Sequence, residues 1–137
     1  MLEAAAALFA ERGFLGTSLA DIAEASGVTK SNIFYFFTGK DELWKAAVDH
    51  VFDSLHSQVD TPGLRDFTPS WELFEAVLRE HVLTCARQPA YIKIPLIEGS
   101  QHSWRTEWLA ERHMKRSVAW FAAFLAPFVD AGMIPPG

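Results

Sequence analysis

The chain has one cysteine, Cys85, among 137 residues. A lone thiol cannot close an intramolecular disulfide, so no cross-linked framework supports this fold, and the expected setting is a reducing cytoplasm. Positive charge is also scarce: 12 Lys and Arg stand against 17 Asp and Glu, for a formal net charge of −5. Residues 1–45 hold four Lys/Arg and six Asp/Glu, a net of −2. Such a chain cannot hold a polyanion by bulk charge, and any phosphate contacts must come from a local basic edge. Long apolar runs are missing. The longest, VAWFAAFLAPFV at 118–129, has 12 residues, where a bilayer needs about 20, so no membrane partner is expected. The opening stretch MLEAAAALFAERGF carries no basic n-region and is interrupted by Glu3, Glu11 and Arg12, unlike a secretory signal. No segment alternates apolar and polar residues with period two, which argues against a sheet. There is no nucleophile elbow, H-E-x-x-H, phosphate-cradling glycine loop or C-x-x-C, so the expectation is that the protein is not an enzyme.

What is present is ample apolar material, 50% hydrophobic and 13% aromatic, arranged with helical periodicity and punctuated at helix lengths. The expected fold class is all-α. A first helix covers about 2–12, with Leu2, Ala5, Leu8 and Phe9 on one face, and stops at Gly13. A second begins at Thr17 or Ser18, where Ser18 and Asp21 have capping-box spacing, and turns its Leu19, Ile22 and Ala23 inward. Ser26-Gly27-Val28 makes a tight turn. A short third helix, Lys30 to Phe36, is capped by Thr29 and buries Ile33, Phe34 and Phe37. A fourth starts near Lys40, with Thr38 and Asp41 in capping spacing, and carries Leu43, Ala47, Val48, Val51, Phe52 and Leu55 on one stripe. Residues 57–69 read as a linker or loop. A fifth helix runs from Pro69 to Arg87 with the stripe Phe74, Val77, Leu78, Val82 and Cys85. A segment at 89–99 is interrupted by Pro95. A last helix spans Trp104 to Ala131, with Pro127 expected to kink or end it.

Helix, glycine turn, helix is the DNA-reading helix-turn-helix arrangement, whose second helix enters the major groove. With Ile33 held in the core, Thr29, Lys30, Ser31, Asn32 and Tyr35 are left outward or along the edge. Asn can bond an adenine edge in bidentate fashion, and Lys can reach guanine acceptors or a phosphate. Hydroxyl groups of Thr, Ser and Tyr suit phosphate oxygens, Thr17 and Ser18 offer a second contact, and Lys40 a third. Each residue also has a plainer role. Ser18, Thr29 and Thr38 are good caps, Tyr35 suits a half-buried position, and Asn32 a solvated one. The whole run is far more specific than its parts.

That run, LFAERGF…TSLADIAEASGVTKSNIFYFFTGKDEL, resembles the N-terminal DNA-binding domain of TetR-family transcriptional regulators. The likeness rests on Phe9, Gly13, Thr17, Ile22, Ala23, Gly27, Val28, Lys30, Tyr35, Phe37, Lys40 and Leu43, over about 45 residues. Beyond residue 60 it is looser, carried by QPAYIKIPLIEG and DAGMIPPG. The resemblance implies a domain at 1–47 that binds a double-stranded DNA operator, then a partial helical domain at 48–137 for ligand sensing and dimerisation. It further implies a homodimer, usually a repressor, in which a small molecule changes the spacing of two reading helices set about 34–36 Å apart. Met1 falls inside the family's first helix, and the chain stops at the family's G-x-I-P terminator, so truncation at both ends is expected. A partner-dependent modulator of a full-length relative is the alternative.

In the second half, His81 and Cys85 stand one turn apart and could hold a soft metal with His102 or His113; a buried core pair explains them better. No metal and no cofactor are expected. His81, Cys85, Tyr91, Trp104, Trp108 and Phe121 suit an aromatic-lined pocket for an apolar or aromatic ligand, the choice over a plain core resting on the resemblance. The run RTEWLAERHMKR, with Glu107 and Glu111 opposite Arg112 and Arg116, reads as a solvated helix face.

Overall fold

A computed structural model describes residues 1–59 and 66–137, and among them every regular element is helical. No helix is long and apolar enough to cross a membrane among the described residues.

Helix α1 (Leu2–Arg12) is built on an alanine run of high helix propensity. Its small side chains Ala5, Ala6 and Ala10 are buried with Phe9, so neighbouring helices approach closely. It ends at Gly13, φ 75°, whose amide donates to the Phe9 carbonyl at 2.9 Å. Helix α2 (Leu19–Ser26) opens on a complete capping box: Ser18 Oγ accepts from the Asp21 amide, and the Asp21 carboxylate accepts from the Ser18 amide at 2.9 Å. That second bond, from backbone, is the main reason the Asp21 carboxyl lies below its ordinary pKa. Gly27 stops α2 in the left-handed conformation, φ 72° and ψ 11°, which a side chain resists. Helix α3 (Lys30–Phe36) is capped by Thr29, whose hydroxyl accepts from the Asn32 amide at 3.1 Å.

Helix α4 (Lys40–Val59) is the spine of the molecule, 20 residues long and so about 30 Å from end to end. It buries Leu43, Ala47, Val48, Val51, Phe52 and Leu55, the expected stripe, and also Trp44. Leu43 donates to the Gly39 carbonyl, so Gly39 occupies the cap position expected for Thr38. Together α1, α2, α3 and α4 enclose a core that α6 and α7 complete with Ile94 and Leu109.

Several expectations are corrected. Phe34 is 51% exposed, because one residue is a 100° step on a helix and only the Ile33–Phe37 line faces the core. The expected linker at 57–69 is shorter: α4 takes 57–59, residues 60–65 lie outside the described residues, and 66–70 are non-helical. Helix α5 (Trp71–Arg87) is capped by Ser70, placing Pro69 ahead of it. On α5, Leu78 and Val82 are exposed, and the inward line runs through Phe74, Val77, His81 and Thr84. Helix α6 (Ala90–Gly99) passes through Pro95 without ending; proline removes one amide bond but leaves the neighbouring bonds to hold the turn.

The last helical run is continuous from Trp104 to Asp130 but changes pitch inside: α7 (Trp104–Leu109), a π turn (Ala110–Met114), then α8 (Lys115–Asp130). Pro127 does not end it; Gly132 does, with the Met133 amide bonding the Phe128 carbonyl at 2.9 Å. Phe124 and Phe128 are buried against Phe67 and Phe74. The charged run is also rearranged: Glu111 pairs with Lys115, and Arg112 makes a two-point contact with Asp49 on α4 at 2.6 and 3.0 Å. Where α6 meets α7, Arg105 donates to the Glu98 carboxylate at 3.0 Å, with side chains only 7% and 2% exposed.

Candidate nucleic-acid interface and the cavity beyond it

Helix α3 is too short to persist alone. Buried Ile33 and half-buried Phe37 fasten it to the core, and the rest of its circumference faces solvent. Lys30, Ser31 and Asn32 are exposed, and Tyr35 is 83% exposed with its ring 5.0 Å from that of Phe36. Thr29 lies at the surface too, its hydroxyl acting as the cap. Sequence reasoning missed the apolar part of this face: Leu15, Phe34 and Phe36 are also exposed. The 100° geometry of a seven-residue helix with one buried position was the available signal.

An open groove beside α3 brings together Thr17, Ser18, Lys30 and Lys40, with Leu15, Asp21 and Phe34 on its walls. Thr17 differs from expectation, and Ser18 fills the cap role expected of it. Thr17 is 1% exposed, and its hydroxyl donates inward to the Gly13 carbonyl at 2.8 Å and the Leu8 carbonyl at 3.2 Å. Its side chain is a tie between α1 and α2, not a surface donor. Ser18 Oγ is engaged with Asp21 in the capping box. Lys40 sits with Nζ 4.3 Å over the Phe14 ring, and Arg105 covers the same ring at 4.3 Å. Burial, then the Arg105 charge, lowers the Lys40 pKa. Lys30 is the exposed cation of the groove and Lys40 the seated one.

The far half holds a cavity of about 370 Å³ between α4, α5, α6 and α8. Of the six expected pocket residues, His81, Tyr91 and Phe121 line it together. Trp104 and Trp108 do not: they pack edge-on against buried Trp44 at 5.7 and 5.5 Å, Trp108 partly buried against the core and Trp104 still exposed. Cys85 is not in the lining either; its Sγ lies 3.7 Å from His81 Nε2. Burial pushes the Cys85 thiol up and the His81 imidazole down, so both favour their neutral forms. The remaining walls are Leu55, His56, Ala76, Val77, Glu80, Thr84, Ser117 and Trp120. The α5 members follow helical spacing from Val77. His56 and Ser117 are 61 positions apart, and no local pattern joins them; in the fold His56 Nε2 is 3.2 Å from Ser117 Oγ. Tyr91 also bonds Ser117, and burial is the main cause of its raised pKa.

Residues 1–47 match the model of "Bacterial regulatory proteins, tetR family". Over 65 residues the chain is 37% identical to the HTH-type transcriptional repressor KstR2 of Mycobacterium tuberculosis, covering 44% of this chain and 32% of that protein. Over 60 residues it is 45% identical to the HTH-type transcriptional regulator TtgR of Pseudomonas putida, covering 44% of this chain and 27% of that protein. The match thus spans about a third of the length of these relatives, which are regulators by name rather than enzymes. Two solved structures share the fold across 99% of this chain and 73% of theirs. One is a Clostridium perfringens protein described as a fatty acid metabolism regulator, with TM-score 0.81 and 17% identity. The other is apo AibR, with TM-score 0.71 and 24% identity. The likeness to the tetR family of bacterial regulatory proteins is thus carried by residues 1–47.

Proposed function

We propose that this chain is a DNA-binding transcriptional regulator, acting as a repressor, that reads an operator with α3. The observation that carries this is the exposed polar face of Lys30, Ser31, Asn32 and Tyr35 on a helix fastened by buried Ile33, within a segment matching a family of regulators. Asn32 reads a base edge, Lys30 a guanine edge or a phosphate, and the hydroxyls of Ser31 and Tyr35 set the register. Thr29 and Ser18 hold the backbone, and Lys40 supplies a weaker cation from its seat over Phe14. The protein works as a homodimer, since a half-site of this size gives little affinity alone. Exposed apolar residues on α5 and α8, among them Leu78, Val82 and Val118, suit a face for the second copy.

The cavity takes the controlling ligand. Its lining is chiefly apolar and aromatic, with Glu80 as a carboxylate and polar groups at Tyr91, His56 and Ser117. That chemistry favours an uncharged apolar or aromatic molecule with one hydrogen-bonding group over an anion. Helix α4 links cavity to reader, so a ligand shifts the reading helices through α4, with a coupling energy of about 1–3 kcal/mol.

The test is selection of bound sites from random duplex DNA at near-physiological salt, with the Asn32→Ala, Tyr35→Ala double variant in parallel. A palindromic site enriched by the wild type and lost in the variant supports the proposal. No enrichment by demonstrably folded protein sinks it, and moves the assignment to a partner-dependent modulator.

A further inference from the structure

Asp53 and His56 stand three residues apart on α4, a spacing that puts both on one helical face. His113 reaches the same place from the π turn. A carboxylate oxygen of Asp53 and one ring nitrogen from each histidine all lie within 4.8 Å of one another. Donors around one tetrahedral ion, at about 2.0–2.2 Å from it, stand about 3.3–3.6 Å apart. Binding an ion therefore draws the three donors closer together.

His113 adds an independent observation. Its side chain is 2% exposed, and its Nε2 lies 2.7 Å from Asp49 Oδ1. A carboxylate only accepts, so Nε2 carries the hydrogen, and the neutral ring keeps its lone pair on Nδ1. Nδ1 is buried and has no hydrogen-bond partner among the described residues, an arrangement that is costly in a core unless something else takes the lone pair. A carboxylate holding one ring nitrogen while the other faces a cation is the usual outer support of a metal-bound histidine. Asp49 is itself fixed by the two-point grip of Arg112. The π turn that delivers His113 is a rare pitch change that is frequent at functional sites.

We propose that Asp53, His56 and His113 form a binding site for a divalent transition-metal ion of the Zn²⁺, Ni²⁺ or Fe²⁺ type. Two imidazoles and one carboxylate suit these ions; Mg²⁺ and Ca²⁺ require more oxygen donors than the trio offers. Three protein ligands leave a coordination position open, and exposed Asp53 gives access from solvent. His56 belongs to both the trio and the cavity wall, so the ion stands at the cavity's edge. An ion here also clamps the π turn onto α4, the helix whose first residue, Lys40, lines the groove. The trio does not involve His81 or Cys85, and it does not depend on DNA binding.

The experiment is titration of the full, metal-free chain with Zn²⁺ by calorimetry, and with Co²⁺ by visible absorption, in the absence of DNA. The expected result is one ion per chain and a Co²⁺ ligand-field band. Asp53→Asn, at an exposed position, should keep the apo-protein melt and weaken binding at least ~10-fold. His56→Gln should do the same, and Asp49→Asn should weaken binding within the ~10–100-fold range of an outer-shell change. A His81→Ala, Cys85→Ala double variant should bind like the wild type. The proposal is overturned by an absence of stoichiometric binding, by wild-type affinity in both Asp53→Asn and His56→Gln, or by loss confined to the His81, Cys85 variant. The two α4 variants decide the matter even if His113→Gln fails to fold.

Discussion

The two ends of α4 lie in different kinds of interior. At its start, Leu43, Trp44, Ala47 and Val48 are each 0% exposed, sealed by α1, α2, α3, α6 and α7. Toward its end, Leu55 and His56 border a cavity, and the facing helix α5 buries no residue fully. One helix therefore joins a rigid block to a loosely filled one. The difference fits a division of labour in which base reading needs fixed geometry, and a ligand site needs room and small opening energies.

The largest expected effect tests whether that contrast is energetic. Trp44→Ala removes a fully buried indole from contact with Trp104 and Trp108 and should cost about 3–5 kcal/mol in denaturant unfolding. Val77→Ala, on the cavity wall, should cost under about 1 kcal/mol. Equal losses would erase the contrast between the two blocks.

Next in size is the ion pair within the sealed block, where α6 meets α7. Glu98→Leu strands the Arg105 guanidinium in a buried site, and should cost about 3–5 kcal/mol. Adding Arg105→Met removes the stranded charge, so the double variant should recover most of the loss in a double-mutant cycle. If the second change adds to the loss, the stacking of Arg105 on Phe14 matters more than the ion pair.

The reader should respond on DNA rather than in stability. Asn32→Ala should relax preference at one base position by about 1–3 kcal/mol, read from competition binding. Lys30→Ala should weaken all sequences and lower the salt slope by about 1. Lys40→Ala should change that slope less, because its ammonium already rests on Phe14. Thr17→Val should leave the slope alone and cost about 1 kcal/mol of fold stability, since its hydroxyl bonds only inward. A salt slope that moves with Thr17 would return that residue to the interface.

The same contrast explains what was legible in the residues. In the sealed block the local signals agree: Ser18 and Thr29 cap, Gly27 turns, and the Leu43–Leu55 stripe buries as its spacing requires. Local chemistry dictated those elements, and the reading helix with them. The misjudged residues depend on distant partners. Trp104 and Trp108 look like pocket aromatics until α7 is laid against Trp44, 60 or more positions away. Phe124 and Phe128 are covered by Phe67 and Phe74, contacts that no local spacing announces. The π turn leaves no mark in the spacing of 104–130, and the meeting of Asp53, His56 and His113 depends on it. Thr17 failed for a different reason: a threonine at a helix start looks the same whether its hydroxyl points out or back.

The smallest expected effect is the pH response of the cavity. His81 shares its surroundings with Glu80 and Cys85 on α5, Tyr91 on α6, and Phe121 on α8, whose ring stands edge-on at 5.0 Å. Burial holds its imidazole below the ordinary value, which is about 6.5. The unfolded chain therefore takes a proton near that pH while the folded chain still refuses it. The stability from neutral His81 is complete above about pH 6.5, is lost as pH falls toward the folded pKa, and changes no further below it. Denaturant unfolding at pH 7.5 and 5.5 should show a smaller loss on acidification in His81→Gln than in the wild type, the comparison removing what the other histidines contribute. An apolar ligand that fills the cavity removes more water from the ring, so its affinity should fall over the same window and fall less in the variant. Identical pH slopes for both proteins would mean that the imidazole is solvated, and that the loosely filled end of α4 is open to water rather than reserved for a ligand.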